Sequence, residues 1–308
     1  MSINLGNTNI GSLYLGSTKI SEVYLGSTKV YSAGTPDNVL IFEFDDASYD
    51  PSSITNLTGA VWTQLSSLPN VWQWDARNVQ DTNWKRAFYQ AFNWNPSTNG
   101  YVKIISAGTL TIPTILGEIL SPYAGMFRQC LAFTDVCALS FPNVTFSPQL
   151  FNGCKYINLA GLSVPSTTSL NSAFKAGNRQ YSYFTSVGPI VTSSALTDVE
   201  QMFYGARALT AAPYFETSGV SNMKSLLYDC NSITTLPLYH TDSFTDIDTA
   251  FYFCKNVESG ALALYQQMST QTTPPTKHTN TFQNCGSDTV TGAAELAQIP
   301  SSWGGTMA

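Results

Sequence analysis

"ETSGVSNMKSLLYDC" (residues 216–230) and "HTDSFTDIDTAFYFC" (residues 240–254) carry one pattern twice. A Thr/Ser/Asp stretch leads to a short element, then to Leu or Phe with a Cys three positions later. The same marker recurs at Phe127/Cys130, Phe151/Cys154, Phe174/Gly177, Phe203/Ala206, Leu227/Cys230, Phe251/Cys254 and Phe282/Cys285, with a weaker copy at Phe88/Ala91. Successive steps from Phe127 are 24, 23, 29, 24, 24 and 31 residues. A near-constant step of roughly 20–29 residues belongs to chains that stack one supersecondary unit on the next. The longer steps imply inserted loops. Past the Cys comes a short apolar strand at a proline, as in Phe141-Pro142, Ala212-Pro213 and Leu236-Pro237. On one helical turn, residues i and i+3 share a face. Phe and Cys would then both point inward and stack on their counterparts in neighbouring coils.

The run "SGVSNMKSLLYDCNSITTLP" resembles the BspA-type leucine-rich repeats of surface proteins. The likeness spans about residues 124–285, weaker from Trp72, and departs where Gly177 and Ala206 replace the Cys. It implies a leucine-rich-repeat-like solenoid and leaves function open, since such repeats occur in adhesins and in phage virion proteins.

A different repeat opens the chain: "NLGNTNI", "YLGSTKI" and "YLGSTKV", each ten residues after the last. Gly, Asn and Ser supply turn conformations, and "SLYL" and "EVYL" supply strand formers. Each unit therefore reads as a short strand followed by a G-x-T-x turn. Three strands stacked at ~4.8 Å leave almost no interior, so such units need neighbours. The segment is either an anchor completed by other molecules or a small meander resting on the main domain. As an anchor, its contacts are Leu5, Ile10, Tyr14, Leu15, Ile20, Tyr24, Leu25 and Val30. These decapeptides are similar to short repeats at the start of tail-fibre-like bacteriophage virion proteins. That resemblance implies a virion location and assembly in the host bacterial cytoplasm.

The expected fold is mainly β with short helical turns. Residues 1–34 form the N-terminal β-repeat anchor. Residues 35–100 form a capping and transition region, with Trp62, Trp72 and Trp74 closing the first coil. Residues 101–308 form the leucine-rich-repeat-like solenoid with a C-terminal cap.

Only 11% of the 308 residues are charged, and the net charge is -6. No Lys/Arg run is present, which argues against nucleic-acid partners, and no stretch is long and apolar enough for membrane insertion. "MSINLGNTNI" lacks the features of an export signal. Cys137 stands out of register, and the five in-register cysteines are expected as buried small apolar groups. Disulfides between coils are the alternative. No paired C-x-x-C marks a zinc site, and no cofactor or metal is expected. Glu43, Asp45, Asp46 and Asp50 form either a solvated strand end or a site for a hard cation. His240 and His278 have no nucleophile motif beside them. Tyr214, Phe215, Glu216, Tyr239, His240 and Asp242 occupy equivalent places in adjacent coils. They form a candidate recognition surface, or else finish the solenoid wall or pack against a neighbouring subunit.

These readings converge on a non-enzymatic phage virion protein. It would dock on other virion proteins through its N-terminus and recognise a host-surface glycan or protein. It would act as a homo-oligomer, with a trimer expected by analogy with fibres. A purely structural head decoration or tail connector is one alternative, and a polysaccharide depolymerase another.

Overall fold

The computed structural model describes residues 35–308, apart from 66–67, 82, 95, 112, 119–124, 177–182 and 308, together with the backbone of six short strands within residues 4–32. Those six are β1 (Asn4–Leu5), β2 (Thr8–Asn9), β3 (Leu13–Leu15), β4 (Thr18–Ile20), β5 (Glu22–Leu25) and β6 (Thr28–Ser32). They pair antiparallel as β1–β2, β3–β4 and β5–β6, in three separate two-stranded sheets. This corrects the expectation of one strand per unit. Leu15 pairs with Thr18 and Leu25 with Thr28, so the β-branched Thr and the Ile or Val after it form a second strand instead of a long turn. Each decapeptide is thus a hairpin. The side chains of Leu5, Ile10, Tyr14, Leu15, Ile20, Tyr24, Leu25 and Val30 lie outside the described residues.

From residue 35 onward the chain is built on β7 (Val39–Phe44), β8 (Val61–Gln64), β9 (Val71–Asp75), β10 (Val102–Ala107), β11 (Phe133–Val136), β12 (Leu139–Ser140), β13 (Asn158–Leu159), β14 (Leu162–Ser163) and β15 (Ile190–Val191). Helices are few: α1 (Pro96–Asn99), α2 (Ala261–Ser269) and α3 (Val290–Leu296). Strand exceeds helix, 19% against 9%, so the chain is mainly β. One six-stranded sheet has the order β13-β11-β10-β7-β9-β8. Its first part is antiparallel around β7, where Val39, Leu40, Phe42 and Phe44 are buried. From β10 onward pairing turns parallel, to β11 and then β13. Trp74 is buried against Trp84 and Phe88, while Trp62 and Trp72 are half-buried beside the same core.

The parallel pairing continues along the chain. β12, β14 and β15 form a second ladder, and bridges run Ser169–Asp198–Asn222–Asp246–Lys277. Successive Phe-Cys units therefore lie side by side in register. In the turn around each Phe, amides point alternately to the next unit and back into their own. Val199, Gln201, Phe203 and Gly205 donate to the carbonyls of Asn222, Lys224, Leu226 and Tyr228, at 2.8–2.9 Å. Met202, Tyr204 and Ala206 donate to carbonyls three residues back, at 3.0–3.1 Å. The alternation needs left-handed backbone two residues before and two after the Phe. Gln201 and Gly205 have φ 56° and 76°, Ser225 and Asp229 54° and 62°, Thr249 and Phe253 55° and 61°.

Because the backbone ladder repeats at about the β spacing, the Phe rings stack at that spacing. Phe88, Phe127, Phe151, Phe174 and Phe203 form a file with centroids 5.0–5.4 Å apart and planes within 18°. Leu227 continues the file in the core, and Phe251 stacks on Phe282. One core of buried side chains runs from Leu40 to Trp303. At its far end the Phe282 amide donates to the Trp303 carbonyl at 2.9 Å, where the next unit would otherwise stand. The long step between Phe251 and Phe282 holds helix α2, not only a loop, with Leu264 and Met268 in the core.

The left-handed positions can be tested directly. Asn284 has φ 58°, a conformation that costs a β-branched residue about 1–2 kcal/mol. Asn284→Val should lower the unfolding free energy by that amount, seen as a lower denaturant midpoint at an unchanged slope, while Asn284→Gly should stay within about 0.5 kcal/mol of the parent.

Candidate functional site

The Phe file sets everything outside it. The residue after each inward Phe faces outward on the same turn, so a second file forms: Arg128, Asn152, Lys175, Tyr204, Tyr228, Tyr252 and Gln283. All seven are half-buried or at the margin of burial. The three tyrosines stack, with centroids 4.5 Å (Tyr204–Tyr228) and 4.7 Å (Tyr228–Tyr252) apart and planes within 16°. Lys175 Nζ caps the stack at 5.0 Å from the Tyr204 centroid, a cation–π contact. Partial burial, with Tyr204, Tyr252 and Asp229 alongside, pushes the Tyr228 phenol above its ordinary pKa. Arg207 holds Asp229 beside this stack through Nε at 2.7 Å and Nη2 at 2.5 Å.

Next to the tyrosines lies a groove of about 600 Å³ whose lining is mostly polar. Gln90, Gln129, Gln149, Asn152, Asn171 and Gln201 supply side-chain amides, Arg128 and Lys175 supply positive charge, and Glu200 stands at one side. Burial pushes both the Arg128 guanidinium and the Lys175 ammonium below their ordinary pKa values. For Lys175, Glu200 opposes that shift and Arg128 adds to it. The Arg128 Nε donates weakly to Asn152 at 3.4 Å, and its Nη1 is buried with no hydrogen-bond partner among the described residues. Lys175 Nζ donates to Gln201 at 2.5 Å.

The sequence-derived recognition residues divide between surface and core. Tyr214 is 52% exposed and His240 and Asp242 are exposed, while Glu216 is half-buried. Phe215 and Tyr239 are each 1% exposed and belong to the core, which corrects their assignment to a contact surface. The physical reason is extended-chain alternation. Aligning Pro213 with Pro237 makes Phe215 the counterpart of Tyr239 and Tyr214 that of the exposed Leu238. The Tyr239 hydroxyl donates to the Pro213 carbonyl at 3.1 Å, and burial pushes its pKa far up. Glu216 accepts the Ser218 amide at 2.7 Å, and this bond, with smaller help from His240, lowers its pKa. The sequence reading missed the file after the Phe, though "FYGA", "LYDC" and "FYFC" already place three tyrosines at one repeat position.

The other candidates have local roles. Glu43 lies 3.5 Å and Asp45 4.0 Å from Lys103 Nζ, Asp46 accepts the Ser48 amide, and Asp50 caps the turn at Pro51 through the Ser52 amide. Glu43 and Asp45 thus share one lysine, while Asp46 and Asp50 each hold a local turn. Among the described residues no three His, Cys, Asp or Glu are grouped to hold a metal ion. His278 stacks on Trp303 at 4.2 Å.

All six cysteines are free thiols. Cys130, Cys154, Cys230 and Cys254 each donate to the carbonyl of the Phe or Leu in the preceding unit, at 2.9–3.2 Å. Burial pushes Cys154 and Cys254 up to about 12 and the half-buried Cys137 to about 11. Since the thiolate is the reactive form, native protein should alkylate at Cys137 alone. Its rate should keep rising past pH 9 toward 11, and the other five should react only on unfolding. Peptide mapping of iodoacetamide adducts across pH reads this.

Residues 168–288 match the model of a family described as "Mycoplasma protein of unknown function, DUF285", a BspA-like repeat family. The match covers units Phe174 through Phe282 and stops short of the N-terminal hairpins. No curated protein and no solved structure matches the chain.

Proposed function

We propose that this is a non-enzymatic phage virion structural protein. Its N-terminal hairpins dock on other virion proteins, and its Phe-Cys units form a leucine-rich-repeat-like solenoid that projects outward for host-surface recognition. The observation that carries the docking half is the contrast between its two parts. Among the described residues β1–β6 pair as two-stranded hairpins of two to five residues per strand, and a two-stranded hairpin by itself is marginal in water. The units behind them share one core from Leu40 to Trp303. A segment that small, ahead of a body with its own core, is suited to being completed by something else. Its likeness to virion-protein leaders supports a particle as that partner and a homo-oligomer, trimeric by analogy with fibres, as the assembly.

The recognition half rests on the tyrosine file and the polar groove, which together give an adaptable, amide-rich surface suited to a glycan. Exposed Tyr214 and Leu238 at equivalent places favour a second reading, a decoration or connector protein that packs its apolar positions on a neighbour. The depolymerase alternative would call on a pair of carboxylates, and Glu200 is the one carboxylate lining the groove among the described residues.

Removal of residues 1–31 should leave the thermal unfolding of the remainder intact and abolish incorporation into the particle. Normal incorporation would sink the docking role. Host-surface binding by the purified chain, without release of reducing ends, separates recognition from both the connector and the depolymerase.

A further inference from the structure

We propose that the groove between Arg128 and Lys175 binds the carboxylate of an acidic sugar in a host-surface polysaccharide, an inference that rests on the glycan-recognition reading above. The chain carries a net charge of -6, and two of its arginines pair with acids, Arg77 with Asp75 and Arg207 with Asp229. Arg128 and Lys175 instead share one groove, half-buried, with no ion pair to either among the described residues. Two desolvated cations side by side are costly unless an anion joins them. Among the described residues the buried Nη1 of Arg128 has no hydrogen-bond partner, and a guanidinium edge matches a carboxylate in two parallel bonds.

Three further features select a sugar acid over a dense polyanion or an acidic peptide. Glu200 lies within electrostatic reach of Lys175 and accepts the Asn222 amide at 3.2 Å, so it repels a second anion at that end. Side-chain amides from Gln129, Asn152, Asn171 and Gln201 line the walls. Amides both donate and accept, as sugar hydroxyls do. The stacked Tyr204, Tyr228 and Tyr252 continue the surface with phenol groups repeating at the ladder step, which gives an extended chain of sugars a second set of hydroxyl partners. A single carboxylate in a field of hydroxyl-matching groups is the chemistry of a uronic or sialic acid within a glycan.

The test is calorimetric titration of the full chain with trigalacturonate, a sialylated trisaccharide and neutral maltotriose. At least one acidic sugar should bind about tenfold or more tightly than maltotriose. Arg128→Gln and Lys175→Gln should each weaken it by about tenfold, the loss of one charged hydrogen bond, at an unchanged unfolding midpoint. Arg128→Lys should retain part of the binding. Should Arg128→Gln unfold, protection of Lys175 from acetylation by the bound sugar, read by mass spectrometry, decides the matter. Failure of both acidic sugars to bind, equal affinity for maltotriose, or no Lys175 protection overturns the proposal. If the chain still binds the host surface in those cases, recognition stands and only the groove assignment falls. If host-surface binding is absent as well, the recognition reading fails with it.

Discussion

The structure depends on one backbone arrangement: amides in each turn that point alternately to the neighbouring unit and to their own. A run of right-handed turns would aim every amide along its own axis. Left-handed residues two positions either side of the Phe reverse that direction, as at Gln201 and Gly205. Each non-glycine in that conformation costs roughly 1 kcal/mol or more. Four inter-unit hydrogen bonds per turn, each worth about 0.5–1.5 kcal/mol, offset two such residues. Gly153, Gly205, Asp229, Asn280 and Asn284 ease that cost, while the Gln and Ser positions, Thr249 and Phe253 carry it in full.

From that ladder the side-chain files follow. Phenylalanines held at one backbone height in adjacent units meet face to face at 5.0–5.4 Å. The thiol three residues on then lies under the preceding unit's Phe carbonyl, where a weak donor is useful and an alanine is tolerated, as at the buried Ala206. The residue one place after the Phe is forced outward. Tyrosine in three consecutive units makes a stack, and Arg128 and Lys175 in the earlier units make the groove. The core and the candidate surface are therefore two readings of the same register, one residue apart.

Much of this was legible in the amino-acid sequence. The step of 23–31 residues, the inward Phe and Cys, and the mainly β character come from a period that any stacked chain must show. The recognition residues were harder, because strand alternation near Pro213 and Pro237 decides which face each side chain takes. Equivalent places in adjacent coils group Phe215 and Tyr239 with Tyr214, although one residue of shift separates core from solvent. Thr-Lys-Ile after the Gly reads as turn in the sequence, and only the pairing of Leu15 with Thr18 makes it a strand.

The sequence by itself determined that units would stack and what would fill their interior, since periodicity and hydrophobicity are local properties repeated along the chain. Only the tertiary structure decided that Arg128 and Lys175 face one groove, that Nη1 of Arg128 has no partner among the described residues, and that Tyr204, Tyr228 and Tyr252 form one stack. Those facts depend on the inter-unit register and on which charges happen to lie across it, and residues 24 or more apart in sequence carry no mark of that until the ladder brings them together.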